Sequence, residues 1–311
     1  MSDDTSHAAA PVPILIDTDA GDDVDDVLAI AFAARWGRVD LRGVTTVGWQ
    51  PEDRARLVRK VLDAAGAANV PVAAGSARPL SPQTAEVFAR YSGPGKLNHC
   101  DVVTPEERQR YAPVAEHAVD MIIRMVRGMP GQLTLVCIGQ LTNIAAALKK
   151  RSDLAGQIKA IALMGGETEL LRAEHNIVQD VAAAHDVLAS GVPIFMGTWS
   201  VTRRFVLMPD DVQRLRAHDS ELTRLLCLCI DKWAPHQSWK PGPVMYDLAP
   251  ILWVGQPALI ATKPKCVRVE AAGTYTRGLT MPVSGDPNAL VSTDLDLPAI
   301  SDLYHRTLTG S

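Results

Sequence analysis

The chain has 311 residues, 47% of them hydrophobic, and its 31 basic and 35 acidic residues give a formal charge of −4. This composition predicts a globular protein, and no stretch approaches the about 18 apolar residues of a membrane span, so we expect no membrane partner. No basic run with interleaved aromatics could follow a phosphate backbone, which excludes nucleic acid as an expected partner. Residues 1–11 lack the features of a signal peptide, and we predict a disordered tail on a cytoplasmic protein.

Short β-branched runs alternate with stretches of helical spacing along the rest of the chain. The predicted strands span 12–17, 39–47, 70–75, 133–139, 158–166 and 192–198, and the helical stretches include 53–67 and 116–129. Strands that are apolar almost throughout indicate a sheet buried on both faces. The pattern predicts an α/β fold with a doubly wound, mostly parallel central sheet flanked by helices. We expect 12–311 to form a single domain, with 76–115 and 199–245 as excursions beyond the sheet.

Six aspartates lie within ten residues in the segment PILIDTDAGDDVDDVLAI, where the first predicted strand ends. Ligands of parallel sheets bind outside the carboxyl ends of the strands. Six carboxylates on one loop repel each other unless a cation lies among them or some stay protonated, and oxygen ligands suit Ca²⁺ or Mg²⁺. Helix capping by Asp22 and Asp23 is the simpler alternative. Asp17 and Asp19 lie too far inside the strand to be caps, which favours a metal site.

Two known arrangements of aspartates can be compared with this segment. An EF-hand is excluded, because the twelfth position counted from Asp17 is Leu28 and not glutamate. A phosphotransferase signature DxDx(T/V), with a nucleophilic aspartate and Mg²⁺, fits the first three places, but Gly21 stands where Thr or Val belongs. That signature also leaves the pair Asp25 and Asp26 unexplained, although a phosphatase stays an alternative.

The segment ILIDTDAGDDVDDVLAI resembles the DxDxGxDD opening of the inosine-uridine-preferring nucleoside hydrolases. The resemblance continues along nearly the whole chain, through VTTVGWQ (44–50), VPVAAGSARPL (70–80), IGQLTNIAAAL (138–148), ALMGG (162–166), AEHN (173–176) and MYDLAPI (245–251). Several ordered matches carry more weight than any one motif. The resemblance implies a Ca²⁺-dependent N-ribohydrolase that acts on a small-molecule nucleoside and forms a homodimer or homotetramer.

The resemblance also implies the metal ligands. Asp19 would bind Ca²⁺ and act as the general base on a metal-bound water, and Asp26, Asp247 and the backbone carbonyl of Ile138 would complete the protein ligands. Asp17 would orient these groups from behind. A divalent ion and a carboxylate together lower the cost of making hydroxide, which is the obstacle when water cleaves a glycosidic bond.

Four further residues would hold the ribose by the same resemblance. Asp25 would accept a hydrogen bond from the 2′-hydroxyl, Glu174 and Asn176 would bind the 5′- and 3′-hydroxyls, and Met164 would pack near the sugar. Carboxylates around the ribose suit a transition state of oxocarbenium character, because they stabilise its positive charge.

The chain departs from the family pattern in several places. Two residues are inserted, GDDVDD where GxDD is usual, so Asp25 and Asp26 are aligned with the family's pair because the apolar VLAI follows them directly. Trp49 stands in place of an asparagine, and His175 in place of a phenylalanine. Tyr246 replaces the histidine that often protonates the leaving base.

The segment DKWAPHQSWKPG contains the aromatic residues expected near the base. Trp233, Trp239 and His236 fall where the family places its base-contacting helix, and a base can stack on tryptophan. The alternatives are a core role for the tryptophans and a surface position for His236, which could otherwise be a general acid beside Tyr246. Asn143 in LTNIA is expected to cap a helix.

Three functions therefore remain open at the level of sequence. Hydrolysis of ribonucleosides, or of another N-riboside such as a nicotinamide or modified-base riboside, is the leading one. An Mg²⁺-dependent phosphatase and a non-catalytic protein that binds nucleoside or ribose are the alternatives.

Overall fold

The computed structural model describes residues 10–81, 86, 89, 95, 97–237 and 241–310. Most of the predicted N-terminal tail and Trp239 lie outside these residues. Among the helices that are described, none is long and apolar enough to cross a bilayer.

A nine-stranded sheet forms the centre of the molecule, in the order β3-β2-β1-β4-β5-β6-β9-β7-β8. The strands are β1 (Val12–Thr18), β2 (Val39–Thr46), β3 (Val72–Ala74), β4 (Thr134–Cys137), β5 (Ala160–Met164), β6 (Ile194–Gly197), β7 (Ile260–Val269), β8 (Thr280–Val283) and β9 (Ala289–Leu295). The first seven in spatial order pair in parallel, and β7 pairs antiparallel with both of its neighbours. The predicted mostly parallel sheet is confirmed.

Helices cover both faces of this sheet. The α-helices are α1 (Asp25–Arg35), α2 (Pro51–Ala64), α3 (Ala118–Gly128), α4 (Thr142–Lys150), α5 (His175–Gln179), α6 (Val181–Leu188), α7 (Trp199–Thr202), α8 (Pro209–Ala217), α9 (Glu221–Trp233), α10 (Leu248–Gly255) and α11 (Leu297–Thr309). The first turn of α1 is acidic and its last turn carries Arg35, which complements the helix dipole at both ends.

Two hydrophobic clusters, one on each side of the sheet, explain why the strands are apolar along their whole length. In β1, Ile14 and Ile16 point into the cluster shared with α1, α2 and α11, while Leu15 points into the cluster shared with α3 and α4. Side chains alternate between the two faces of a strand, so a sheet covered on both sides needs an apolar residue at every position.

The strand order reverses between β1 and β4. From β1 the chain proceeds outward to β2 and β3, then returns to β4 on the other side and continues to β5 and β6. Such a reversal separates the loops that follow the two central strands and leaves a crevice at their carboxyl ends. The aspartate-rich loop after β1 and the loop after β4 border that crevice.

All six predicted strands are present. The sheet also contains β7, β8 and β9, which the sequence pattern did not predict. In the described parts of the two predicted excursions, helices and turns occur but no strand of the sheet.

Candidate active site

The ends of β1 and β4 approach each other closely at Asp19 and Gly139. Ile138 donates its backbone N–H to the carbonyl of Asp17 at 2.8 Å, which joins the two strand ends. A Cβ atom on Gly139 would lie 2.8 Å from the backbone nitrogen of Asp19 and 3.0 Å from its Oδ1. Only glycine leaves room for the Asp19 carboxylate at this position.

Asp17 is buried beneath this junction. Its Oδ1 accepts hydrogen bonds from Thr45 Oγ1 at 2.5 Å and from Asn143 Nδ2 at 2.8 Å. Burial raises the pKa of Asp17 to about 7, although both hydrogen bonds act in the opposite direction. Asp17 is therefore held in place by β2 and α4.

The expectation that Asn143 caps a helix is wrong. Leu141 occupies the position before α4, and no side chain caps this helix. The Asn143 amide instead joins three loops, because Nδ2 also donates to the carbonyl of Thr46 at 3.1 Å and Oδ1 accepts from the backbone N–H of Ser76 at 3.0 Å. Asn143 is the second residue of α4, and its Oδ1, the atom that a cap would use as acceptor, already accepts from Ser76.

Asp25, Asp26 and Asp247 bring carboxylate oxygens within 4.8 Å of one another. The three residues are 3%, 4% and 4% exposed. Burial, followed by repulsion from neighbouring aspartates, raises the pKa of Asp26 and Asp247 well above the ordinary range. Asp247 stands directly before α10 but makes no capping hydrogen bond, so its carboxylate is available to a ligand. Three buried carboxylates at this separation form a site that could hold a metal ion.

Asp19 lies near this group of three but is not a member of it. Its Oδ2 accepts a hydrogen bond from Gln179 Nε2 at 3.3 Å, and its charge raises the pKa of Asp26 and Asp247. The carbonyl of Ile138, the other predicted ligand, accepts a hydrogen bond from Asn176 Nδ2 at 3.2 Å. The structure thus groups Asp25 with Asp26 and Asp247. The resemblance instead names Asp19 and the Ile138 carbonyl as the ligands that bind the metal together with Asp26 and Asp247.

A fully buried arginine holds the aspartate-rich loop in place through hydrogen bonds to its carbonyls and to one of its carboxylates. Arg54 of α2 donates to the carbonyls of Asp19 and Ala20, the latter at 3.1 Å, and its Nε donates to the carbonyl of Trp49 at 2.8 Å. Its Nη2 contacts both carboxylate oxygens of Asp22, at 3.0 and 3.1 Å. No pattern in the sequence predicts this role for Arg54, because a basic residue in an amphipathic helix normally faces solvent.

The capping alternative for the inserted aspartates is also resolved. The residue before α1 is Val24, and no side chain caps that helix. Asp22 pairs with Arg54, and the Oδ1 of Asp23 accepts a hydrogen bond from the backbone N–H of Val24 at 2.9 Å. Asp22 and Asp23 therefore shape the loop, while Asp25 and Asp26 enter the helix and face Asp247.

Three of the four predicted ribose residues, Met164, Glu174 and Asn176, lie near the ends of β4 and β5. Glu174 is buried and accepts backbone hydrogen bonds from Gly166 at 3.0 Å, from Asn176 at 3.0 Å and from the next residue, so it also caps α5. Asn176 Nδ2 contacts the carbonyls of Met164 at 3.1 Å and Ile138 at 3.2 Å. Glu174, Asn176 and Met164 thus share one wall beside the metal-site candidates.

Tyr246, Trp49 and His175 are partly buried around the same crevice. Burial and the nearby charges of Asp25 and Asp23 raise the pKa of Tyr246 to about 12, while a hydrogen bond from the Trp199 side chain acts against this shift. Positive charge on His175 lowers the pKa of Asp22 and of Glu174, although burial raises both overall. These three departures from the family pattern therefore lie near the aspartates.

The tryptophans and the histidine predicted to contact the base have different positions. Trp233 is 2% exposed and belongs to the hydrophobic core, which is the core role named above as the alternative to base contact. His236 is exposed on a short 3₁₀ turn after α9. Trp239 lies outside the described residues.

His99 is a further buried group that the sequence did not indicate. Its ring is fully buried, and neither ring nitrogen has a hydrogen-bond partner among the described residues. Burial lowers the pKa of His99 to about 4. Its neighbour Asn98 donates to the carbonyl of Asp22 at 2.7 Å, so this loop packs against the aspartate-rich loop.

The chain is similar to known nucleoside hydrolases over nearly its whole length. Residues 14–302 match the family model described as inosine-uridine preferring nucleoside hydrolase. The chain is 30% identical over 312 residues to the pyrimidine-specific ribonucleoside hydrolase RihA of Citrobacter koseri, covering 96% of this chain and 98% of that protein. It is 32% identical over 279 residues to RihA of Photobacterium profundum, covering 86% and 88% of the two chains.

Solved structures share the fold. The purine-preferring ribonucleoside hydrolase of Gardnerella vaginalis superposes with a TM-score of 0.82 at 26% identity, covering 96% of this chain and 98% of that one. The plant nucleoside hydrolase PpNRh1 gives a TM-score of 0.81 at 24% identity, covering 97% of this chain and 100% of that one. Together with the match over residues 14–302, these similarities place the chain in the inosine-uridine preferring nucleoside hydrolase family, as an N-glycosyl hydrolase of ribonucleosides.

Proposed function

We propose that the chain hydrolyses ribonucleosides to free base and ribose in a Ca²⁺-dependent reaction. Asp19, Asp26, Asp247 and the carbonyl of Ile138 would bind the ion, and Asp19 would be the general base. The observation that carries the proposal is the group of three carboxylates, Asp25, Asp26 and Asp247, within 4.8 Å of one another and almost fully buried.

The residues present fit a hard divalent cation. All the side-chain donors are oxygens, and the nearby buried guanidinium of Arg54 is already paired with Asp22. A single arginine does not offset the repulsion among the buried aspartates, whose pKa values burial and mutual repulsion raise. Bound among them, Ca²⁺ would polarise the attacking water and hold it near the sugar.

Asp19 would take the proton from that water. Its carboxylate lies at the carboxyl end of β1, where Gly139 leaves it room, and Gln179 Nε2 at 3.3 Å from Oδ2 fixes its orientation. The opposite oxygen can then face the crevice. A carboxylate in this position also stabilises the positive charge that develops on the ribose as the base departs.

The sugar would lie between the ends of β4 and β5. Asp25 would accept from the 2′-hydroxyl, while Asn176 and Glu174 would bind the 3′- and 5′-hydroxyls and Met164 would pack against the ring. The backbone hydrogen bonds of Glu174 support this proposal, because they hold its carboxylate in place before substrate binds.

The leaving base would depart on the side of Tyr246. A phenol whose pKa is raised to about 12 stays protonated at neutral pH but is a weak proton donor. This observation favours substrates whose base needs little protonation, and it keeps other N-ribosides, such as nicotinamide or modified-base ribosides, as a second candidate class. His236, His175 and an ordered water are the other candidate donors, and Trp49 would contact the base or the 5′ side.

A ribose-release assay over a panel of nucleosides tests the proposal. With added Ca²⁺ we expect free ribose from at least one nucleoside, with loss of activity in chelator and recovery when Ca²⁺ is restored. A protein that binds nucleosides but releases no ribose would instead be a non-catalytic binding protein. Activity that is unchanged by exhaustive chelation would exclude the metal-dependent reaction.

Calorimetry of Ca²⁺ binding distinguishes the two possible ligand sets. If Asp19 is a ligand, Asp19→Asn weakens Ca²⁺ binding as strongly as Asp26→Asn does, and Asp25→Asn has the smaller effect. If Asp25 is the ligand, as its position beside Asp26 and Asp247 would permit, the order of Asp19→Asn and Asp25→Asn is reversed. Asp23→Asn, on the same loop, is the matched control.

The assembly and domain organisation stay predictions. The resemblance implies a homodimer or homotetramer, which light scattering of the purified protein measures directly. A single unfolding transition in calorimetry is expected if residues 12–311 form one domain.

A further inference from the structure

Two arginines stack on one tryptophan at the edge of the crevice. The guanidinium carbon of Arg172 lies 4.0 Å from the centre of the Trp199 ring, and that of Arg203 lies 4.4 Å from it. Both side chains are exposed. Within the part of the chain that the structure describes, neither guanidinium forms a salt bridge or a hydrogen bond, so their N–H groups are available to a ligand.

Trp199 belongs to the edge of the sheet that carries the aspartates. It begins α7 just after β6, and its backbone N–H donates to the carbonyl of Gly166 at 2.9 Å, beyond the end of β5. Its side chain forms a hydrogen bond with Tyr246, the neighbour of Asp247. Positive charge on Arg203 acts on Tyr246 as well. The arginine pair therefore lies beside the crevice, on the side of the proposed leaving group.

Glu167 holds the two arginine-bearing segments together. This residue is 1% exposed, and its Oε2 accepts from the backbone N–H of Ser200 at 2.9 Å and from the Ser200 hydroxyl. Its Oε1 accepts from the backbone N–H of Glu169 at 2.7 Å. The loop that carries Arg172 and the helix that precedes Arg203 are thus fixed to one another, and the stacked arrangement does not depend on two free surface side chains.

The crevice is negatively charged, whereas the two guanidinium groups at its edge are positive. The carboxylates of Asp19, Asp25, Asp26 and Asp247 outnumber the two charges of one bound Ca²⁺, so a substrate that carries a negative charge would be repelled from the crevice without a further positive group at its edge. Guanidinium groups stacked on an aromatic ring keep their in-plane N–H groups free, and those groups match the oxygens of a phosphate or a carboxylate. A neutral nucleoside has no group that requires two such donors.

We propose that Arg172 and Arg203, stacked on Trp199, form an anion-recognition site that selects N-ribosides bearing a phosphate or carboxylate group. The inference rests on the proposed function, because it names the substrate class of the same crevice. A 5′-phosphate and a carboxylate on the base are two sources of this chemistry, since the site lies near both Tyr246 and the loop of Glu174.

A comparison of kcat/KM for neutral substrates and their anionic counterparts tests the proposal. The panel contains uridine and inosine, their 5′-monophosphates, and orotidine, which is uridine with a carboxylate on the base. At low salt we expect kcat/KM for at least one anionic compound to exceed that of its neutral counterpart by about tenfold or more, with the preference declining as salt is raised. A preference for the monophosphates assigns the 5′ position, and a preference for orotidine assigns the base.

Variants identify the groups responsible. Arg172→Gln and Arg203→Gln should each reduce the ratio of anionic to neutral kcat/KM by about tenfold while kcat/KM for the neutral nucleoside changes little. Arg204→Gln is the matched control, because Arg204 is the next residue and pairs with Asp294 at 2.6 Å. A neutral nucleoside preferred over its anionic partners, or a ratio that is equal in wild type and both variants, would overturn the proposal.

Failure of the proposed function gives a different result. In that case no compound in the panel releases its free base, and calorimetry of the same compounds with the wild-type protein tests whether the two arginines bind an anion. Tighter binding of an anionic compound, lost in Arg172→Gln and Arg203→Gln but kept in Arg204→Gln, supports the anion site. Equal binding of anionic and neutral compounds refutes it.

Discussion

Replacement of Arg54 by methionine should destabilise the protein severely. The side chain is fully buried and donates to Asp22 and to the carbonyls of Asp19, Ala20 and Trp49. Removing one partner of a buried ion pair costs about 3–5 kcal/mol, because the other charge remains without compensation. Unfolding free energies are about 5–15 kcal/mol in total, so Arg54→Met should remove a large fraction of the stability and lower Tm by about 5–8 °C.

Urea unfolding followed by circular dichroism measures this loss, and Asp22→Asn extends it to a double-mutant cycle. If the two residues stabilise the loop as a pair, the double variant should lose at least about 1 kcal/mol less than the sum of the single variants. Arg56→Met is the matched control on the same helix, since its partly exposed pair with Asp53 is worth about 0–1 kcal/mol. A loss of unfolding free energy below about 1 kcal/mol in Arg54→Met would refute the reasoning. Losses in the double variant that equal the sum of those in Arg54→Met and Asp22→Asn would refute it as well.

Three further predictions concern the chemistry and the pH dependence. Asp19→Asn should lower ribose release by at least about a hundredfold with an unchanged circular dichroism spectrum, because an amide cannot take the proton from water; a tenth of the wild-type turnover would show that another group is the base. His99 has a folded pKa of about 4, below its ordinary value of 6.5, so the stability that it contributes above pH 6.5 is lost as the pH falls toward 4. Between pH 7 and pH 4 the free energy of unfolding should therefore fall by about 3 kcal/mol more in wild type than in His99→Leu. The exposed His185→Leu is the control, and equal pH dependence of unfolding in wild type and His99→Leu would contradict this. Tyr246→Phe should slow the natural nucleoside but spare a nitrophenyl riboside, whose leaving group needs no proton; equal slowing would indicate a role in sugar positioning.

The central half of the sheet could be predicted because its chemistry is simple. Strands such as β1 and β4 are buried on both faces, so they are apolar at every position and are bounded by helical spacing. The antiparallel part gave no such signal. β7 reads IATKPKCVRV, with exposed polar residues and Pro264 inside the strand, a pattern tolerated only near the border of a sheet.

The carboxylates of the candidate site were easier to anticipate than the residues that hold them in place. The grouping of Asp25, Asp26 and Asp247 follows from the choice of register that put apolar VLAI directly after the aspartates. Arg54 and Asn143 gave no comparable signal, because each looks like an ordinary helical residue until its partners from distant segments are known. Their contacts join residues 32 to 126 positions apart, and no local pattern encodes such distances.

The pair formed by Arg54 and Asp22 also constrains how this loop can be inherited. Asp22 lies in GDDVDD, which is two residues longer than the GxDD of the family pattern, and a relative with no carboxylate at this place would lack the partner of the arginine. An arginine alone would then bury an unpaired charge, and the extension alone would leave an aspartate and several carbonyls without their donor. The extension and the arginine should therefore co-vary among related chains. Grafting either one into a relative should impair folding, whereas grafting both should be tolerated.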